Sequence, residues 1–258
     1  MIAVERVSKR FEQGDVLENV DFTVQTGEFF GIIGPNGSGK STLLRLISGV
    51  EAPSEGTVRL RGREVRSYPR KQLARWLAVL QQDSLPPVGF TVREVVEMGR
   101  YPFQNWLGEE PEDPTGWIDS ILSRLGLESL SGRGLDQLSG GERQRVALGQ
   151  VMAQQPELLL LDEPTTYLDI GYQVQMMDYV RGWQRDTGLT VVAVLHDLNL
   201  AAQYCDRILV LHRGRMIRLG PPEEVICADL IESVYGTRPL VLAHPANAVP
   251  QILLMPGS

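Results

Sequence analysis

Residues 34–42 read Gly34-Pro35-Asn36-Gly37-Ser38-Gly39-Lys40-Ser41-Thr42, and the apolar run Phe29 to Ile33 leads directly into them. The stretch fits G-x-x-x-x-G-K-[ST]. Beyond it Leu43, Leu46 and Ile47 fall at i, i+3 and i+4, which predicts a helix over Lys40 to Ser48 with Gly49 as its terminator. Strand, glycine loop and helix together form a phosphate cradle: glycines let backbone N–H groups curl around phosphate oxygens, and the helix start presents its positive end. A chance glycine-rich turn would lack those flanks. Lys40 brings a point charge to the β- and γ-phosphates, and Ser41 offers a hydroxyl oxygen to Mg²⁺, which prefers hard oxygen ligands. A dinucleotide fingerprint would need glycine at position 42, where Thr42 stands. The expectation is a nucleoside triphosphate site in an α/β domain.

Outward from the loop, Leu158 to Leu161 and Val191 to Leu195 are purely apolar runs that read as central parallel strands buried on both faces. The first delivers Asp162 and Glu163 at its C-terminal end, the edge where open α/β sheets bind ligands. Asp162 is the expected Mg²⁺ ligand and Glu163 the general base for an attacking water. Adjacent acids after a strand can also cap a helix. His196 ends the second run, where it could bond a γ-phosphate or be merely structural. In a further motif, Leu138-Ser139-Gly140-Gly141-Glu142-Arg143-Gln144-Arg145, the Ser139-Gly140-Gly141 stretch precedes a helix expected to start after Gly141, with Val146, Ala147, Val151 and Met152 inward. A hydroxyl, two glycines and a helix start can form a second anion site, or an ordinary N-cap. The chain has only one nucleotide cradle, so this motif is expected to reach toward ATP held by another copy.

The chain has 258 residues, 43% hydrophobic and 22% charged, with a formal charge of −7 from 25 basic and 32 acidic side chains. That acidic balance disfavours a nucleic-acid footprint or direct contact with anionic lipid. No apolar stretch approaches the roughly 20 residues of a membrane-spanning helix. Glu5, Arg6, Lys9 and Arg10 break any secretory signal core, so a cytoplasmic location is expected. Cys205 and Cys227 match no metal or disulfide pattern and read as free buried thiols.

Ile2 to Val7 and Val20 to Val24 alternate like half-buried strands. Ser84 to Phe90, with two prolines and a glycine, marks a linker. A helical insertion follows, with stripes at Val92, Val95 and Val96 and at Ile118, Ile121, Leu122 and Leu125. Between them Glu109, Glu110, Glu112 and Asp113 suggest a solvated loop. Tyr172, Met176, Tyr179 and Trp183 predict a crossover helix packed by that stripe. The organisation expected is one domain over 1–258: a nucleotide-binding core from 1–84 and 155–220, a helical subdomain at 85–154, and a tail at 221–258. The tail should hold a helix near Pro222 to Val234 and strands at Leu240 to Ala243 and Gln251 to Met255, covering the sheet edge or meeting a second copy.

In this order and spacing, GPNGSGKST, LSGGERQR, LLLLDEP and His196 resemble the ATP-binding subunit of an ABC transporter over nearly the whole chain. LSGGERQR is the discriminating piece. The resemblance implies a P-loop NTPase (RecA-like) fold: a mainly parallel sheet core, antiparallel N-terminal strands and an inserted helical subdomain. It implies that Phe11 stacks on adenine, that Gln82 rather than Gln81 touches Mg²⁺ and the transmembrane partner, and that Asp169 lies in an inter-subunit loop. It also implies a head-to-tail dimer sandwiching two ATPs, each site taking Lys40 from one copy and Ser139 with Gly141 from the other. Tyr167 departs from the smaller residue or histidine usual there, and Phe11 replaces the commoner tyrosine. Phe90 to Val96, Gly99 to Pro102 and Asp197 to Ala202 resemble importers of iron–siderophore, haem or cobalamin. That subgroup implies membrane permease subunits, a periplasmic or lipoprotein binding protein, and a peripheral position on the inner membrane face. A scaffold or regulatory ATPase, or an export cassette, would use the same motifs.

Overall fold

A computed structural model describes residues 1–12, 14–81, 85 and 89–254. The chain divides into two compact units, residues 1–67 with 187–258, and residues 68–186.

The first unit opens with β1 (Ile2–Phe11) and β2 (Gly14–Val24), an antiparallel hairpin closed by Phe11 opposite Gly14. Ile2, Val4, Val7, Leu17, Val20, Phe22 and Val24 all point inward. These strands run longer than their alternation predicts, because register shifts let pairing continue past Val7. β3 (Phe29–Ile33), α1 (Lys40–Ile47), β4 (Glu55–Leu60) and β5 (Arg63–Glu64) follow. β4 joins β1, making an antiparallel sheet in the order β2-β1-β4-β5.

The second unit holds α2 (Arg70–Leu73), β6 (Leu77–Leu80), α3 (Val92–Met98), α4 (Thr115–Arg124), α5 (Gly140–Ala153), β7 (Leu158–Asp162) and α6 (Ile170–Thr187). β6 and β7 pair in parallel. α3 and α4 lay the expected stripes against α5, whose Val146 to Gly149 and Val151 to Ala153 are buried almost all round, as befits an interior helix. Contact there is close: a Cβ on Gly99 would lie 2.0 Å from the Gln150 carbonyl oxygen.

Two expectations change in this unit. On α6 the buried face is Met176, Met177, Val180, Trp183 and Gln184, while Tyr172 is exposed and Tyr179 half-buried. Tyr and Met score alike in a period count, so the spacing keeps Met176 and Trp183 on the buried face but sets the stripe one step around the helix. The acidic loop is also not wholly solvated. Glu110 pairs with Arg100, their side chains only 10% and 9% exposed, with Arg100 Nε donating to both carboxylate oxygens at 3.1 and 3.2 Å. Arg100 also donates to Ala153 O and Gln155 Oε1 and lies 4.0 Å over the Phe103 ring. Glu110→Ala would strand that buried cation, so a loss of about 3 kcal/mol is expected in urea unfolding.

The chain returns to the first unit with β8 (Thr190–Val194), α7 (Leu198–Tyr204), β9 (Arg207–His212) and β10 (Arg215–Gly220). β3 lies between β8 and β9, parallel to both, and β10 turns back antiparallel on β9. All five residues of β3 and of β8 are buried, as their unbroken apolar runs require. The stacked rings of Phe22 and Phe30, 5.2 Å apart, join the antiparallel sheet to the central strand.

The tail holds α8 (Pro222–Val225), α9 (Ala228–Tyr235), β11 (Leu240–Ala243) and β12 (Pro250–Leu253). The single tail helix expected is therefore broken at Ile226–Cys227, and the last strand starts earlier than Gln251. β11 and β12 form a hairpin, and the Asn199 side chain of α7 bonds both the N–H and the C=O of Ile252. α8 packs against β9 and β10. Cys205 is buried and outside any disulfide, but Cys227 is only half-buried.

Candidate functional site

The phosphate loop leaves β3 at Gly34 and enters α1 at Lys40. Gly34 has φ +152°, and a Cβ there would sit 2.0 Å from the Leu211 carbonyl oxygen, so the strand-to-loop bend needs glycine on both counts. Gly39, the N-cap of α1, has φ +100° and lies against the Leu17 side chain and the Val16 carbonyl. The β9–β10 turn braces the loop, Gly214 N donating to Ser38 O at 3.3 Å.

Lys40 arches back over its own loop. Its ammonium donates to Gly34 O at 2.9 Å and Pro35 O at 3.1 Å, and the residue is 5% exposed. Thr91, Ser139 and Asp197 cap α3, α5 and α7, while α1, like α2, α4, α8 and α9, has no side-chain cap. The first N–H groups of a helix have no intrahelical partners and attract anions when left uncapped. The Ser38 hydroxyl is buried and has no hydrogen-bond partner among the described residues. An orphaned donor, an uncapped helix start and a pinned ammonium fit a polyphosphate. Tyr235, at the end of α9, is a neighbour of this loop that no local motif announces. Burial pushes its phenol up to about 12, while the Gly34 backbone acts in the opposite direction.

Phe11 lies at the end of β1 and is 39% exposed. His196 follows β8 as an exposed residue just before the α7 cap. Gln82 lies outside the described residues, as do Ser84 and 86–88 of the linker.

In the second unit, Asp162 ends β7 half-buried, and Glu163 follows at φ +54°, a left-handed conformation that costs a non-glycine residue about 1–2 kcal/mol. The turn is held from several sides. Thr166 N donates to Glu163 O, Gln144 Nε2 to Pro164 O at 3.1 Å, and Gln173 Nε2 to Thr165 O and Leu168 O. Strain maintained by such a lattice is common at functional positions. Tyr167 is likewise left-handed at φ +63°, and both it and Asp169 are exposed.

The LSGGERQR stretch closes on itself. The helix begins at Gly140, two residues earlier than the expected start after Gly141, and Ser139 is its N-cap in a full capping box. The Ser139 hydroxyl and backbone N–H both donate to Glu142 Oε2 at 2.8 Å, and Glu142 N returns to Ser139 Oγ at 3.3 Å. The Ser139 backbone first, then its hydroxyl, hold the Glu142 carboxyl below its usual range. Gly141 is buried against Tyr172, whose ring lies 2.8 Å from where a Cβ would be. Leu138 is buried and Gly140 exposed. Gln144 and Tyr172 each act through a partner distant in sequence, which no local motif announces.

The family described as ABC transporter matches residues 17–166. The ferric enterobactin transport ATP-binding protein FepC of Escherichia coli (strain K12) is 38% identical over 96% of this chain and 92% of its own length. The petrobactin import ATP-binding protein FpuC of Bacillus anthracis is 41% identical over 92% of this chain and 87% of its own. The uncharacterized ABC transporter ATP-binding protein YvrA of Bacillus subtilis (strain 168) is 39% identical over 98% of this chain, which spans 57% of that relative. Among solved structures, the dimeric post-hydrolysis state of the ATP-binding cassette MJ0796, bound to ADP and Pi, superposes with a TM-score of 0.75 at 30% identity, covering 86% of this chain and 98% of that one. Among the described residues no helix is long and apolar enough to cross a membrane. A phosphate cradle built this way, inside a match of that extent, means that the chain belongs to the ABC transporter family, as one of its ATP-binding, ATP-hydrolysing subunits.

Proposed function

We propose that the chain energises import of an iron chelate, haem or cobalamin through a partner membrane permease. The observation that carries its ATP-driven part is the uncapped start of α1 beside the pinned Lys40 ammonium and the orphaned Ser38 hydroxyl. The cargo class rests on relatives named for ferric enterobactin transport and petrobactin import, and on the importer-like segments 90–96, 99–102 and 197–202.

In this reading residues 34–42 bind the phosphates and Phe11 the adenine. Ser41, Asp162 and Gln82 supply hard oxygen ligands suited to Mg²⁺, which when bound neutralises phosphate charge. Glu163 takes a proton from the attacking water and His196 contacts the terminal phosphate. Residues 1–84 and 155–220 act as the nucleotide-binding core, 85–154 as the helical subdomain and 221–258 as its tail. A binding protein on the far side of the membrane delivers the cargo. The chain itself sits on the cytoplasmic face through the permease.

Two copies complete each other's sites, Leu138 to Glu142 of one meeting the nucleotide of its partner across the Asp169 loops. Ser139→Arg then keeps ATP affinity while turnover is lost. Loss of the capping box lowers its stability by about 1 kcal/mol. Mixing it with Lys40→Ala, itself inactive, restores ATPase activity because one arrangement pairs intact Lys40 with intact Ser139. No recovery in the mixture contradicts the shared site. Deleting the encoding gene and following uptake of labelled ferric siderophore, haem and cobalamin tests the cargo class. Loss of one uptake is expected; unchanged uptake of all three overturns import of this class.

A further inference from the structure

Lys9 and Phe11 are two apart on β1, so their side chains share a face of the strand. The Lys9 ammonium lies 4.5 Å from the Phe11 ring centroid. It is held there from elsewhere, donating to Glu51 Oε2 at 3.0 Å and to Ala52 O at 2.9 Å, with its side chain only 12% exposed. Glu51 and Ala52 belong to the segment leaving α1, and Glu51 N donates back to Arg45 O of that helix. One cation therefore joins the exposed ring of Phe11 to the C-terminal exit of the helix whose N-terminus forms the phosphate site.

We propose that Lys9 is a positioning residue for nucleobase binding: it covers one face of the Phe11 ring and fixes the ring relative to α1, leaving the opposite face to receive the base. This rests on the reading of Phe11 as the adenine platform. With two donors committed to Glu51 and Ala52, the ammonium is held beside the ring and cannot swing away as a free surface lysine would. The ring enters binding already oriented, so less freedom is lost when a base stacks on it.

The test is titration calorimetry of the full chain with ATP and, separately, with inorganic tripolyphosphate, which has phosphates but no base. Lys9→Met is expected to weaken ATP binding about two- to fivefold, leave tripolyphosphate binding unchanged, and be rescued by Lys9→Arg. Equal losses for both ligands would overturn the proposal, since Lys9 would then act through the phosphate site. An unchanged ATP affinity in Lys9→Met, with Phe11→Ala weakened, overturns the role of Lys9 alone. Unchanged ATP affinity in Phe11→Ala removes the platform itself. Should Lys9→Met not fold, Glu51→Ala frees the ammonium from one anchor and carries the same expectation, weaker ATP with tripolyphosphate unaffected.

Discussion

Glu163→Gln is expected to slow ATP turnover by about 10²- to 10⁴-fold, the usual contribution of a positioned general base, while ATP affinity stays near that of the parent. Gln is isosteric with Glu but cannot accept the proton, so nucleotide-bound dimers should accumulate on a sizing column. Steady-state ATPase equal to the parent would remove Glu163 from the base role. The strained backbone at this position supplies a control. Glu163 sits at φ +54°, a conformation glycine adopts without steric cost but with greater entropy loss on folding. Glu163→Gly should therefore stay within about 1 kcal/mol of the parent in stability, or exceed it, and yet be as inactive as the Gln variant. A variant that is well folded and dead separates chemistry from structure. If Glu163→Gly instead unfolds, the carboxylate is holding the turn, and the proton-transfer role loses its support.

Lys40→Ala should raise the ATP dissociation constant on the order of a hundredfold, from the loss of charge-assisted hydrogen bonds worth about 1.5–3 kcal/mol each. The side chain bridges Gly34 O and Pro35 O across the loop and is almost wholly buried. Its removal leaves those carbonyls without that donor, so the nucleotide-free protein should also lose about 1–3 kcal/mol. Denaturant titration with and without ATP distinguishes the two effects. At a concentration a hundred times its own dissociation constant, ATP stabilises the parent by about 2.7 kcal/mol, and the variant by only about 0.4 kcal/mol. Equal stabilisation of both proteins would contradict the phosphate-clamp assignment. Lys40→Arg is not expected to rescue, because a planar guanidinium cannot fold into the space of a compact ammonium.

What could be read along the chain were features whose physics is local. The five apolar residues of β3 and of β8 announced buried strands, and the spacing of Leu43, Leu46 and Ile47 announced α1. The LSGGERQR stretch shows where such reading stops. A serine before two glycines is compatible with an open anion site or with a cap, and the structure closes the cap through Glu142. The α6 stripe is met at Met176 and Trp183 and missed at Tyr172 and Tyr179 for a related reason. Periodicity identifies a helix but places its buried face only to within a residue or so, and Val180 rather than Tyr172 turned inward.

The amino-acid order by itself determined the phosphate loop, the strands and helices around it and the family of the chain, because a cradle of backbone N–H groups depends on glycine positions a few residues apart. Tertiary structure alone decided that Arg100 is matched by Glu110, that Tyr172 covers Gly141, that Tyr235 lies by Gly34, and that the Lys9 ammonium reaches both Glu51 and the Phe11 ring. Apart from the Lys9–Phe11 pair, which the strand period already puts on one face, each of these joins a side chain to a group that no helical or strand period brings to it. Which charge meets which ring or carboxylate is settled only when packing excludes water and leaves a buried polar group one partner within reach.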